Sequence, residues 1–100
     1  MKHDLIAVSY KLKMKVATRI VFKISNTFSE WAKAFDDDRT NQEAVGIKAI
    51  FRGVSETDSS TVMAILEAEP GVLGKYMEGN TDVEASGHII DSEEFSNWMA

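Results

Sequence analysis

The stretch IAVSYKLKMKVATRIVFKI, residues 6–24, decides the fold class. Ile6, Val8, Tyr10, Leu12, Met14, Val16, Ile20, Phe22 and Ile24 share one phase of a period-two pattern, and Ser9, Lys11, Lys13, Lys15, Arg19 and Lys23 share the other. β-Branched and aromatic residues alternating with polar ones mark a half-buried strand. As one strand the run would span roughly 60 Å, at about 3.3 Å per residue. A domain of 100 residues does not hold such a strand. Residues 1–15 are therefore expected to form an N-terminal extension, and residues 16–100 the domain. No turn residue separates the two parts, so the extension cannot fold back as a tight hairpin. It is expected to continue outward as a strand arm and pair with an edge of a partner subunit.

Downstream, Thr27-Phe28-Ser29-Glu30 has the spacing of a capping box, and Phe28, Trp31 and Phe35 form one apolar stripe of a helix. This helix is expected to run to about Ala44, with Gly46 as its left-handed stop. Ile47 to Val54 and Thr61 to Ala68 alternate again across the turn cluster Thr57-Asp58-Ser59-Ser60, which predicts a hairpin. Pro70 suits a first helical turn, and Leu73, Tyr76 and Met77 give the second helix its stripe. Thr81 to Glu84 offers a second capping box. His88 to Asp91 reads as a short last strand, and Ser92 to Ala100 as a final helical turn. The order is β-α-β-β-α-β, an α+β ferredoxin-like sandwich. Right-handed crossovers would place two helices on one face of a four-stranded antiparallel sheet.

Composition narrows the partners. The net charge is −5, with no cysteine. An acidic chain lacks the basic field of a general nucleic-acid binder, and without thiols there is no disulfide framework. No apolar run near the start is long enough for a signal peptide or a membrane span. The expectation is a cytoplasmic domain with no nucleic-acid or membrane partner.

The sheet faces carry more information. Val16, Ile20, Phe22, Ile47, Ala49, Phe51, Val62, Ala64 and Leu66 are assigned to the helix-covered face. The open face then carries Val21, Ile50, Val54, Met63 and Ile65 beside Arg19, Lys23, Lys48, Arg52 and Glu67. Open sheet faces are normally polar, and an apolar patch of this kind marks an interface. Its simplest cover is a second copy about a two-fold axis, a homodimer. The alternative cover is the C-terminal segment with Phe95 and Trp98.

The blocks RIVFKI (19–24), FSEWAKAFD (28–36), GIKAIFRGVS (46–55) and SGHII (86–90) resemble a small family from marine cyanobacteria and related marine samples that carries no assigned activity. Its members are similar to the dimeric ferredoxin-like, or dimeric α/β-barrel, superfamily. The resemblance covers about residues 17–98. It implies a dimer and a choice among cofactor-independent monooxygenases, isomerases, haem enzymes and small-ligand regulatory domains. Fold does not choose among these.

Of the candidate site residues, His88 is the central histidine, with Asp91, Glu93 and Glu94 near enough in sequence to orient it. A histidine at a strand start is nonetheless more often structural. Asp36-Asp37-Asp38 is a poor metal cluster, because successive helical residues diverge by about 100°, and no metal or cofactor is expected. Trp31, Phe35 and Tyr76 could line a pocket between helix and sheet. Arg19, Lys23, Lys48 and Arg52 could bind a small anionic ligand between two sheets, with Tyr76 as a further ligand-binding candidate. The plainer reading pairs these cations with nearby acids. The function expected is a non-catalytic dimeric module that binds a small ligand or a protein partner. The alternative is a cofactor-independent oxygenase or isomerase acting on a small organic acid in the cavity between the two sheets.

Overall fold

The computed structural model describes residues 15–99. The expected strand arm, with Lys11 and Lys13, lies outside the described residues.

The chain runs β1 (Val16–Lys23), α1 (Phe28–Asp37), α2 (Arg39–Ala44), β2 (Lys48–Val54), β3 (Thr61–Ala68), α3 (Val72–Met77), α4 (Thr81–Ala85) and β4 (Glu94–Met99). The fold is α+β, with one four-stranded sheet in the order β2-β3-β1-β4 and every neighbouring pair antiparallel. The buried phase of β1 is Thr18, Ile20 and Phe22, continued by Ile24, and that of β3 is Val62, Ala64, Leu66 and Ala68. Trp31 and Ala32 of α1 and Ile47 complete the core, with Phe28, Phe35, Leu73 and Tyr76 packed against it. Trp31 is 2% exposed and meets Phe22 edge-on, with ring centroids 5.5 Å apart. An aromatic of this size buries about 200 Å². At roughly 25 cal/mol per Å², that contributes about 5 kcal/mol before ordering costs.

The capping box forms as its spacing predicts. The Thr27 hydroxyl accepts from the Glu30 N–H, and the Glu30 carboxylate accepts from the Thr27 N–H, each at 3.2 Å. The helix it starts is shorter than expected, because it breaks at Asp38 and resumes as α2. Asp36 and Asp37 lie in a last turn that holds no basic residue, where negative charge opposes the helix dipole. Gly46 then takes a left-handed φ of 85°. At α4 the cap is Asn80, whose side chain accepts from the Asp82 N–H, and not the Thr81 box.

Two expectations are corrected. First, β2 changes phase. Ala49 lies opposite Leu66, but Phe51 lies opposite Ile65, so Ile50 is an extra residue in a β-bulge. Beyond it, Phe51 and Gly53 share the open face with Ile65 and Met63, whereas Arg52 and Val54 take the covered phase of Ala64 and Val62. The Phe51 ring leans over Gly53, where a Cβ would come within 2.9 Å of it. Arg52 and Val54 thus leave the open-face set, and Phe51, expected in the core, is 51% exposed.

Second, the last strand is not His88–Asp91. His88 makes a single bridge to Ile24, the chain turns at Asp91 with φ 70°, and residues expected to be helical form β4. Phe95, Asn97 and Met99 lie opposite Ile20, Thr18 and Val16 on the helix side, and Trp98 lies opposite Ala17 on the open side. The Thr18 hydroxyl donates to Asn97 Oδ1 at 2.7 Å across this pair. The C-terminal segment therefore widens the open face instead of covering it. Among the described residues, no helix is long and apolar enough to cross a membrane.

Candidate functional site

Between the helices and the covered face of the sheet lies a cavity of about 370 Å³. Its walls are largely apolar, with Phe22, Trp31, Phe35, Leu73 and Met77 among them. Polar groups interrupt them, among them His88, Gln42 and the Tyr76–Asp38 pair. Ligand pockets have this character, a mostly apolar hollow with a few placed polar groups.

His88 is held by its backbone. The Ser25 N–H donates to the Gly87 carbonyl and the Ile89 N–H to the Lys23 carbonyl, both at 2.9 Å, which brackets His88 at the end of β1. Gly87 enables the approach: its φ is 98°, and a Cβ there would sit 2.3 Å from Asn26 Oδ1. Asn26 fastens the same turn by donating to the Ser86 carbonyl at 2.8 Å. The imidazole, 5% exposed, stacks on Phe22 with centroids 3.9 Å apart and an interplanar angle of 17°. Its Nε2 is 2.7 Å from Glu93 Oε1. Burial pushes the Glu93 carboxyl up, but its own backbone N–H, His88 and the Asp91 backbone together hold it below the ordinary value. An ionised Glu93 accepts from Nε2, and in that tautomer Nδ1 is the acceptor of the imidazole. Among the described residues, Nδ1 has no hydrogen-bond partner.

At the mouth, the Tyr76 hydroxyl donates to Asp38 Oδ2 at 2.6 Å and ties α3 to the α1–α2 junction. Burial and then the Asp38 carboxylate push the Tyr76 phenol up to about 12, so it remains a donor at neutral pH. Asp38 also accepts from Asn41 at 3.0 Å. Gln42, 5% exposed, lines the same cavity with its Oε1 unpartnered. Buried polar groups are seldom left unpaired.

The cationic candidates lie elsewhere. Arg52 donates from Nε and Nη2 to both oxygens of Asp36, at 2.8 and 2.7 Å, and sits 5.8 Å from the Phe28 ring centroid. The Arg52 guanidinium holds the Asp36 carboxyl low. Arg39, the partner that helical spacing suggests, is 3.8 Å from Asp36. Lys23 pairs with Asp58 at 2.6 Å, and Asp58, bonded also by Ser60 and Thr61, is held well below the usual carboxylate range. Arg19 and Lys48 are exposed on the open phase, with Lys48 opposite Glu67. These four cations do not converge, whereas His88 and Tyr76 border one cavity. Of the acids near His88 in sequence, Glu93 is the one that bonds it. Asp38 and Gln42 carried no signal in the sequence, because the approach of α3 and the turn of α2 bring them to the cavity. Among the described residues, no group of His and acids could hold a metal ion.

No curated protein and no solved structure matches the chain. A family model described as a domain of unknown function, DUF3764, matches residues 15–100. The match begins one residue before β1 and takes in every element around the cavity, and the chain belongs to the DUF3764 family.

Proposed function

We propose that this chain is a ferredoxin-like module that works as a homodimer and binds a small molecule in the cavity between its helices and its sheet. The observation that carries the reading is the 370 Å³ cavity with a buried imidazole–carboxylate pair against its wall. The strand order β2-β3-β1-β4, with a helical crossover on either side of the β2–β3 hairpin, supports the ferredoxin-like reading. The open face supports dimerisation: Val21, Met63 and Ile65 are joined by Ile50, Phe51 and Trp98, the last three 48%, 51% and 66% exposed. A second copy placed face to face would take this patch out of water.

The enzymatic alternative, a cofactor-independent oxygenase or isomerase, draws on the same histidine. A buried imidazole oriented by a carboxylate is the usual form of a general base. Such a site would lie within one chain, and not in the space between two sheets.

Ligand binding to the native state raises the melting temperature by linkage. Small uncharged aromatics should raise that of the wild type and leave Val83→Trp, which fills the cavity from α4, unmoved. The reading fails if no compound stabilises the wild type more than this variant.

A further inference from the structure

We infer that the cavity selects an uncharged aromatic hydrogen-bond donor, of the phenol or azole class, whose O–H or N–H is accepted by His88 Nδ1. This rests on the cavity-binding reading above and names the chemistry of its ligand.

Charge comes first. The cavity lining contains Asp37, Asp38 and Asp82 and no lysine or arginine. An anion placed there meets carboxylates at the rim and apolar walls inside, and an unpaired charge in such surroundings is strongly disfavoured. His88 does not compensate, because Glu93 at 2.7 Å already balances any positive charge on it. Cations find little more. Asp38 is engaged by Tyr76 and Asn41, Asp37 by Lys33 at 2.6 Å, and Asp82 is exposed to solvent at the rim. An uncharged ligand remains.

Shape and polarity follow from the walls. Phe22, Trp31, Phe35 and Tyr76 present aromatic surface to the hollow, and aromatic rings pack on one another by offset or edge contacts. The volume of 370 Å³ equals the share of roughly a dozen liquid waters, room for one substituted ring. Among the described residues, the Gln42 carboxamide oxygen is buried with no hydrogen-bond partner, and His88, which also lines the hollow, bonds Glu93 through Nε2 and has Nδ1 left over. Both accept, so the ligand donates. Nδ1 is an acceptor because Glu93 holds the proton on Nε2, which makes Glu93 a positioning residue.

Three matched probes test this by calorimetric titration of the full chain: para-ethylphenol, its methyl ether para-ethylanisole, and para-ethylbenzoate. The phenol should bind roughly three- to tenfold more tightly than the ether, the worth of one net hydrogen bond. Benzoate should bind at least about tenfold more weakly than the phenol. In His88→Phe the preference for phenol over ether should vanish while the ether still binds. Should that variant fail to fold, the wild-type ranking of the three probes decides alone. Equal affinity for phenol and ether, a preference that survives His88→Phe, or tightest binding by benzoate each overturns the assignment while leaving the cavity a binding site. If none of the three binds, the cavity reading itself fails with it.

Discussion

At the scale of single residues, the most consequential contact is Glu93 on His88. It joins a buried ring to a carboxylate whose side chain is 14% exposed, and it fixes which imidazole nitrogen carries the proton. Its pH dependence follows from the direction of the Glu93 shift. The folded carboxyl lies below its ordinary value of 4.5. Glu93 therefore contributes stability that is fully present above that value and is lost as pH falls through the lower, folded value. Glu93→Gln removes this linkage. In acid titrations followed by circular dichroism, the stability gap between wild type and Glu93→Gln should close as pH drops below 4.5. A gap of constant size from neutral to acid pH would show that the carboxylate does not stabilise the imidazole by its charge.

Among the elements, the bulge in β2 has the widest effect, because one extra residue reverses the facing of all that follows. Without it Arg52 would point to the open face. With it Arg52 reaches Asp36 on α1 in a two-pronged pair, with side chains 32% and 41% exposed. Partly exposed pairs of this kind couple by about 0.2–1 kcal/mol. A double-mutant cycle of Arg52→Ala and Asp36→Ala, read by urea unfolding, should give a coupling in that range. Arg52→Lys should recover only part of it, since an ammonium cannot engage both carboxylate oxygens in parallel. No measurable coupling would mean that the bulge, and not the ion pair, docks β2 against α1.

For the whole molecule, the uneven cover of the sheet is decisive. All the described helices pack on one face, and among the described residues none covers the other, where Val21, Met63 and Ile65 are half-buried and Phe51 and Trp98 exposed. Face-to-face pairing of two copies predicts a dimer at micromolar concentration in sedimentation velocity. Ile65→Asp, at the centre of the patch, should give monomer or insoluble protein, because pairing would bury an unmatched carboxylate. Lys75→Asp, at an exposed position of α3, should leave the dimer intact. A wild-type chain that sediments as a monomer would remove the homodimer from the proposal.

Local periodicity and capping were legible along the chain: the alternating strand β1, the β2–β3 hairpin, the Thr27 capping box, the left-handed stop at Gly46, and the opposition of a covered and an open sheet face. The sequence also pointed to His88 with an acid close by. Tertiary structure alone decided the rest. The bulge at Ile50 falls in Ala49-Ile50-Phe51, three successive apolar residues that suit either phase, and an extra residue is defined only by its partner strand. β4 carries an aromatic on each phase, Phe95 and Trp98, and both remain exposed, so no clean alternation announced it. It becomes a strand because the free edge of β1 offers backbone partners from Val16 to Val21. The cavity arises where α3, α4 and the α1–α2 junction fail to close over Phe22 and Trp31. His88, Gln42, Tyr76 and Asp38, far apart along the chain, become neighbours only there, because the volume between packed elements is a property of their spacing and not of any one segment.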